Sequence, residues 1–291
     1  MKTGLVLEGG AMRGLFTAGV MDVMMEQNLS VDGIIGVSAG AAVGCNWKSN
    51  QPGRALRYNT AYARDPRYCS IRSLLKTGDL YGAEFCYHEL PDRLDVFDTA
   101  AYRACPVEFY VVCTDVLTGE AVYQRLDRGD YEDLEWIRAS ASMPLVSRIV
   151  DVGGRRMLDG GIADSIPIRQ FRKMGYERNL VVLTQPRGYT KSKNSLLPLM
   201  RMVYRKYPKL LDAVSRRHEV YNETLEYLHQ EEARGNTRIL CPDEKLPIDR
   251  VEHDPEKLRT VYEIGRTYAM RELENIRAFL ADGRSASSVN K

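Results

Sequence analysis

Asp32-Gly33-Ile34-Ile35-Gly36-Val37-Ser38-Ala39-Gly40-Ala41-Ala42-Val43-Gly44 joins a short apolar run, a serine between glycines and a stretch of small side chains. The run to Val37 reads as a buried strand, and the small residues from Ser38 to Gly44 as a helix packed close against it. Gly36 and Gly40 leave room for a strained strand-to-helix turn that pushes the Ser38 hydroxyl out of the sheet. Such a pentapeptide is weak evidence alone, but a strand entering it and a small-residue helix leaving it supply the setting a nucleophile requires.

Working outward, Thr3 to Glu8 reads as a strand and Gly14 to Asn28 as a helix with Leu15, Ala18, Gly19, Val23 and Met24 on its apolar face. About thirty residues from strand to strand fits a right-handed βαβ crossover in a parallel sheet. Between them, Glu8-Gly9-Gly10-Ala11-Met12-Arg13-Gly14 offers free backbone N–H groups at a helix start, where an anion can be held. A dinucleotide site would need glycine at position 11 and an acid at the end of the second strand, where this chain has Gly36-Val37-Ser38. An oxyanion hole built from Gly9, Gly10 and Ala11 fits better, because donors and nucleophile at neighbouring strand ends can share one carbonyl.

Further along, residues 49–105 read as helices and loops, and Val107–Thr114 with Ala121–Arg125 as a hairpin. Ser147–Val152 and Arg155–Leu158 flank the turn Gly153-Gly154, and Asp159-Gly160-Gly161 follows the return strand. Asp-Gly is ordinarily a turn signal; what raises Asp159 is that Ser38 needs a base. A helix over Pro167–Met174, a strand over Asn179–Thr184, helix to about Ala233, a last strand over Arg238–Leu240 and a helix over Pro255–Leu280 with a disordered Ser-rich tail complete the reading.

Composition narrows the partners. Of 291 residues, 44% are hydrophobic and 27% charged, which excludes a disordered or collagenous chain. Lys plus Arg is 41 against 39 for Asp plus Glu, so no overall field points to nucleic acid. The apolar run at Leu5–Leu7 stops at Glu8, too short for an export signal, and Gly33–Trp47 is too short to span a bilayer. A cytoplasmic protein is expected. Six cysteines without a CxxC pair read as reduced core thiols, with neither metal nor cofactor implied.

Taken in order, Gly9-Gly10-Ala11-Met12-Arg13-Gly14, Gly36-Val37-Ser38-Ala39-Gly40, Ala139-Ser140-Ala141-Ser142-Met143-Pro144 and Asp159-Gly160-Gly161 resemble the patatin-like phospholipase family. The resemblance covers roughly residues 3 to 185. It implies a three-layer α/β/α sandwich around a mostly parallel sheet, with 1–185 as catalytic core and 186–291 as a basic helical region packing on or extending it. It implies Ser38 as nucleophile, Asp159 as its partner in a dyad, main-chain oxyanion donors near Gly10 and Ala11, and an acyl-ester lipid as substrate. Many members have a third glycine where this chain has Ala11, and a turn with φ > 0 there would strain an alanine. Arg13 matches the family's basic position and reads as turn-stabilising more than catalytic.

Two other functions start from the same motif: an α/β-hydrolase with a Ser-Asp-His triad, and a catalytically weak acyl-binding or regulatory protein. For the triad only His88, His218, His229 and His253 exist, and His218 and His229 lie in charged helical patterns that read as solvated surface. Residues 187–217 interleave basic residues, among them Arg201, Arg205 and Lys206, with Leu196, Leu197, Leu199, Met200, Met202, Val203, Tyr204, Tyr207, Leu210 and Leu211. That mixture suits peripheral contact with the anionic inner face of a membrane, or a solvated helix whose apolar side packs on the core.

Overall fold

The computed structural model describes residues 1–288, with side chains through Asp282. Among the described residues eight strands form one sheet: β1 (Lys2–Leu7), β2 (Gly33–Val37), β3 (Glu108–Asp115), β4 (Ala121–Arg125), β5 (Val150–Val152), β6 (Arg155–Asp159), β7 (Tyr176–Val182) and β8 (Thr237–Leu240). Their order is β5-β6-β3-β2-β1-β7-β8, with β4 also on β3. From β3 through β8 the neighbours are parallel, while β4 and β6 run antiparallel to β3 and β5 antiparallel to β6.

The helices are α1 (Gly14–Glu26), α2 (Ala39–Lys48), α3 (Arg54–Ala61), α4 (Ile71–Thr77), α5 (Thr99–Ala104), α6 (Tyr131–Ser140), α7 (Ile168–Lys173), α8 (Leu197–Val203), α9 (Pro208–Ala233), α10 (Pro255–Arg271) and α11 (Leu273–Ser288), with a π-helical segment at Phe85–Leu94. Side chains alternate across a strand. Leu5 and Leu7 therefore join Ile34 and Val111 in one core with Phe16, Met21, Val43, Trp136 and Val261, under α1, α2, α6 and α10. Val6 points the other way and joins Ile35, Val112 and Val181 in a second core with Ile168, Phe171, Tyr221 and Leu228, under α7 and α9. Helix, sheet and helix make the expected three layers.

One pairing decides where chemistry can occur. Strand β3 is long: Glu108 to Val112 pair with β2, while Cys113 to Asp115 pair with β6. Because β4 occupies the opposite edge over Tyr110 to Thr114, β2 and β6 share one edge of β3 and run toward each other along it. Val37 sits opposite Val112 and Asp159 opposite Cys113, so Ser38 and Asp159 leave two strand ends that meet tip to tip.

The helix layer on the α1 side is completed from late in the chain. Helix α10 crosses α1 at Gly19 and Gly265: a Cβ on Gly19 would strike the Tyr262 carbonyl, and one on Gly265 the Phe16 carbonyl. Beside the crossing, buried Asp22 accepts from Tyr262 Oη and Gly53 N, each at 2.8 Å, and burial pushes its carboxyl up to about 6.

Three expectations need correction. Only Val150–Val152 of the run from Ser147 is strand, because the preceding segment is tied elsewhere: Leu80 N donates to Val146 O, Arg148 N to Asp79 Oδ1 and Leu145 N to Tyr204 Oη. The C-terminal helix breaks at Glu272, whose carboxylate binds Arg238 and Asn275. Beyond it α11 continues to Ser288 where a disordered tail was expected; residues 289–291 lie outside the described residues.

Candidate active site

Ser38 stands at the end of β2 with φ +56° and ψ −121°, a left-handed φ that a side chain adopts at a cost of about 1–3 kcal/mol. The surroundings hold it there. Its N–H donates to Ser140 Oγ at 2.9 Å, and Ser140 donates to Val112 O at 2.6 Å. Its carbonyl accepts Ala41 N and Ala42 N, so the strained residue opens α2. Both motif glycines are sterically required: a Cβ on Gly36 would lie 2.6 Å from Gly40 O, and one on Gly40 would meet the Leu7 and Glu8 carbonyls.

Asp159 is held as closely. Its N–H donates to Ser142 O at 2.8 Å, its carbonyl accepts Thr114 Oγ1 at 2.8 Å, and its Oδ1 accepts Gly161 N at 2.7 Å. A Cβ on Gly160 would collide with Val112 O. Ser140 thus pins Ser38 and Ser142 pins Asp159, so the segment from Ala139 to Pro144 joins the two strand ends. Burial raises the Asp159 carboxyl above its ordinary range; the Arg217 charge, a hydrogen bond from Ser38, the Gly161 N–H and the Lys191 charge pull it back.

The glycine loop closes over Ser38. A Cβ on Gly9 would lie 2.8 Å from Ser38 Cβ, and one on Gly10 2.6 Å from Thr184 Oγ1. Gly9, Gly10 and Ala11 donate their N–H to no acceptor among the described residues. Below the loop, buried Glu8 accepts from Thr184 N at 2.7 Å, Thr184 Oγ1 at 3.1 Å and Tyr221 Oη at 2.7 Å, which fixes the strand end from which the loop starts. Arg13 ends the turn, its N–H donating to Gly10 O.

Ala11 has φ +50°, the conformation in which the missing third glycine matters. An L-residue there costs about 1–2 kcal/mol, and the greater freedom of glycine when unfolded returns about 0.4–1 of it. Ala11→Gly should therefore stabilise the fold by at most about 1.6 kcal/mol and leave turnover within severalfold. Thermal unfolding checks this, and a clear fall in Tm would contradict the strain.

An apolar cavity of about 330 Å³ runs from Ser38, lined by Ala42, Tyr87, Leu90, Leu134, Ile137 and Met143 among others. This volume lies in the range of small-molecule sites, and its lining suits hydrocarbon.

Residues scattered in sequence are gathered here. Arg217 belongs to the basic run read as surface, yet it faces Asp159, and His218 is only 13% exposed, with its Nδ1 unpartnered. The signal was present in the 3.6-residue stripe Val214, Arg217/His218, Tyr221, Leu228, which charged letters disguised. His229 is exposed as expected, His253 Nδ1 meets Ala63 O at 2.7 Å, and buried His88 pairs with Glu135 at 2.9 Å. Neither Ser38 nor Asp159 is hydrogen-bonded to a histidine.

The family model for patatin-like phospholipase matches residues 5–172, and that for a domain of unknown function (DUF6363) matches residues 207–281. The uncharacterized protein YjjU of Escherichia coli (strain K12) is 30% identical over 188 residues, 64% of this chain and 52% of that protein. The uncharacterized NTE family protein Rv1063c of Mycobacterium tuberculosis is 29% identical over 182 residues, 62% and 48% of the respective chains. Lysophospholipase NTE1 of Saccharomyces cerevisiae is 28% identical over 176 residues, 59% of this chain and 10% of that one. The chain spans about half the length of the first two. Among solved structures, VipD from Legionella pneumophila aligns with a TM-score of 0.44 at 12% identity, covering 94% of this chain and 67% of that one.

Proposed function

Since the chain belongs to the patatin-like phospholipase family, we propose that it is a serine lipid acyl hydrolase of the phospholipase A or carboxylesterase type, working through Ser38 and Asp159. The observation that carries this reading is the tip-to-tip meeting of β2 and β6 on one edge of β3, which buries a strained serine against an aspartate with free loop N–H groups above.

The chemistry follows from the parts. Asp159 accepts the Ser38 proton as Oγ attacks the acyl carbonyl, while the N–H groups of Gly9, Gly10 and Ala11 hold the oxyanion. The alcohol leaves with that proton; water, deprotonated by Asp159, then attacks the acyl-serine ester, the bond to Oγ breaks to free the fatty acid, and Asp159 returns the proton to Ser38. The acyl chain occupies the apolar cavity. In this reading residues 1–185 are the catalytic core and 186–291 the helical region that completes it. Labelling the folded protein with a fluorophosphonate tests the proposal: modification at Ser38, lost in Ser38→Ala, is expected, and an unlabelled Ser38 would favour an acyl-binding protein.

No helix among the described residues is long and apolar enough to cross a membrane. Peripheral contact is a separate matter. On and beside α8, Leu197, Met200 and Tyr204 pack inward, but Leu196, Leu199, Met202 and Val203 stay exposed next to Arg201, Arg205 and Lys206. Leu196 also lines the cavity, so this patch adjoins its mouth. We assign it to an anionic bilayer, on whose cytoplasmic face the protein works. At about 1 kcal/mol per cation near such a surface, glutamate at 201, 205 and 206 should weaken binding to anionic vesicles at low salt by about a hundredfold and spare a short soluble ester. Equal sedimentation of variant and parent with vesicles would remove the assignment.

A further inference from the structure

Three cations cluster around Asp159 and Lys191: Arg217 and Lys191 act on the Asp159 carboxylate, Arg13 and Arg217 act on Lys191, and none of the three lines the apolar cavity. The Lys191 ammonium lies 4.1 Å from the centre of the Tyr221 ring, whose hydroxyl is bound to Glu8. One Arg217 nitrogen lies 3.1 Å from where a Cβ on Gly161 would be, and that point is 3.0 Å from Asp159 Oδ1. Arg13 leaves the end of the glycine loop. Among the described residues none of the three has a carboxylate oxygen within 4.0 Å, and the Nε atoms of Arg13 and Arg217 are buried without a partner.

The surrounding acids do not answer this charge. Glu8 is engaged by Thr184 and Tyr221, and Asp159 by Gly161 and Ser38. Lys191 feels the crowding: burial, then Arg217, push its ammonium down to about 8, with Arg13 and Arg250 acting the same way and Glu8 opposing. Half-buried cations that repel one another are costly to keep unless an anion completes them.

We propose that Arg13, Lys191 and Arg217 form a subsite for a phosphate carried by the leaving alcohol, so that the preferred ester is an acylated glycerol phosphate and not a neutral acylglycerol. This rests on the reading of Ser38 as nucleophile. The acyl chain fills the apolar cavity, which leaves the alcohol for the side where the cations stand. Two guanidinium groups and an ammonium match a phosphate monoester, with its three oxygens and charge near −2, better than a single carboxylate. Lys191 and Arg217 also lie outside residues 5–172, so two of the three members come from this chain's later segment.

Binding to the Ser38→Ala protein tests the subsite without turnover. An acylglycerol phosphate should bind about thirtyfold more tightly than the monoacylglycerol of the same chain length, the scale of one or two charge-assisted contacts. Lys191→Gln in that background should reduce the preference to about threefold or less, and Lys191→Arg should keep most of it. Inorganic phosphate should displace the acylglycerol phosphate and leave the monoacylglycerol in place. Equal affinity for the two lipids, or a preference that survives Lys191→Gln, overturns the proposal; inorganic phosphate binding without any lipid preference identifies a free-anion site and overturns it too. Failure of the parent protein to hydrolyse any ester, with the binding preference intact, would instead remove the nucleophile assignment and leave the subsite standing.

Discussion

Ser38→Ala and Asp159→Asn should each lower ester hydrolysis by about 10⁴-fold or more, because nucleophile and base act as a unit and either loss strands the other. His229→Ala and His253→Ala should keep most of the activity. His218→Ala is the informative case, since that ring is largely enclosed and its Nδ1 unpartnered. Retained turnover with an unchanged circular dichroism spectrum supports the dyad, whereas loss in this one variant hands the reaction to a triad. The acid limb of the pH profile adds a second readout. Only ionised Asp159 can take a proton, and burial holds its carboxyl above the ordinary value, so kcat/KM should fall as pH drops through a midpoint above the usual 3.9 or so. The Arg217 charge pulls that midpoint down, so Arg217→Gln should move the limb to higher pH; a limb that stays put would separate Arg217 from Asp159.

Gly9→Ala should cost about a hundredfold in turnover while the protein still folds. Its new Cβ would sit 2.8 Å from Ser38 Cβ and 3.0 Å from Val37 O, so the loop and the serine turn must move apart. A displacement approaching 1 Å between nucleophile and oxyanion donors is worth about that factor. Proline at position 10, which would delete an N–H directly, is a poorer probe, because Gly10 has φ −178° and proline requires about −65°. Turnover on a soluble p-nitrophenyl ester, set beside thermal melting, separates the outcomes. Parental turnover from a normally folded Gly9→Ala protein would mean that the loop does not serve the serine.

Much of this was legible in the chain itself, for local reasons. The apolar run Leu5-Val6-Leu7 and the small residues after Ser38 obey short-range sterics, so strand, turn and helix could be read directly. Asp159 was legible only by need, as an acid at a strand end for a serine that lacked a base; its register opposite Cys113 is a long-range fact. The tie through Ser140 and Ser142 was visible as a segment but not as hydrogen bonds, because a serine's partner depends on which strand lies across from it. Arg217, Lys191 and Tyr221 were out of reach for the same reason, and the charge of the run around them pointed to solvent.

The glycine-against-glycine crossing of α1 and α10 has a consequence for the order of synthesis. Helix α1 begins where the glycine loop ends, and its outer face stays bare until α10 arrives. A ribosome making about 5–20 residues per second delivers α10 roughly 200 residues after Ser38, a delay of about ten to forty seconds. During that interval the nascent chain carries its serine but not the helix that braces the loop, nor at first Tyr221, which anchors Glu8 beneath it. Chains arrested before Pro255 should therefore resist fluorophosphonate labelling that chains released after Arg271 accept. The proposed hydrolase, assembled in this order, would stay inert while it is being made.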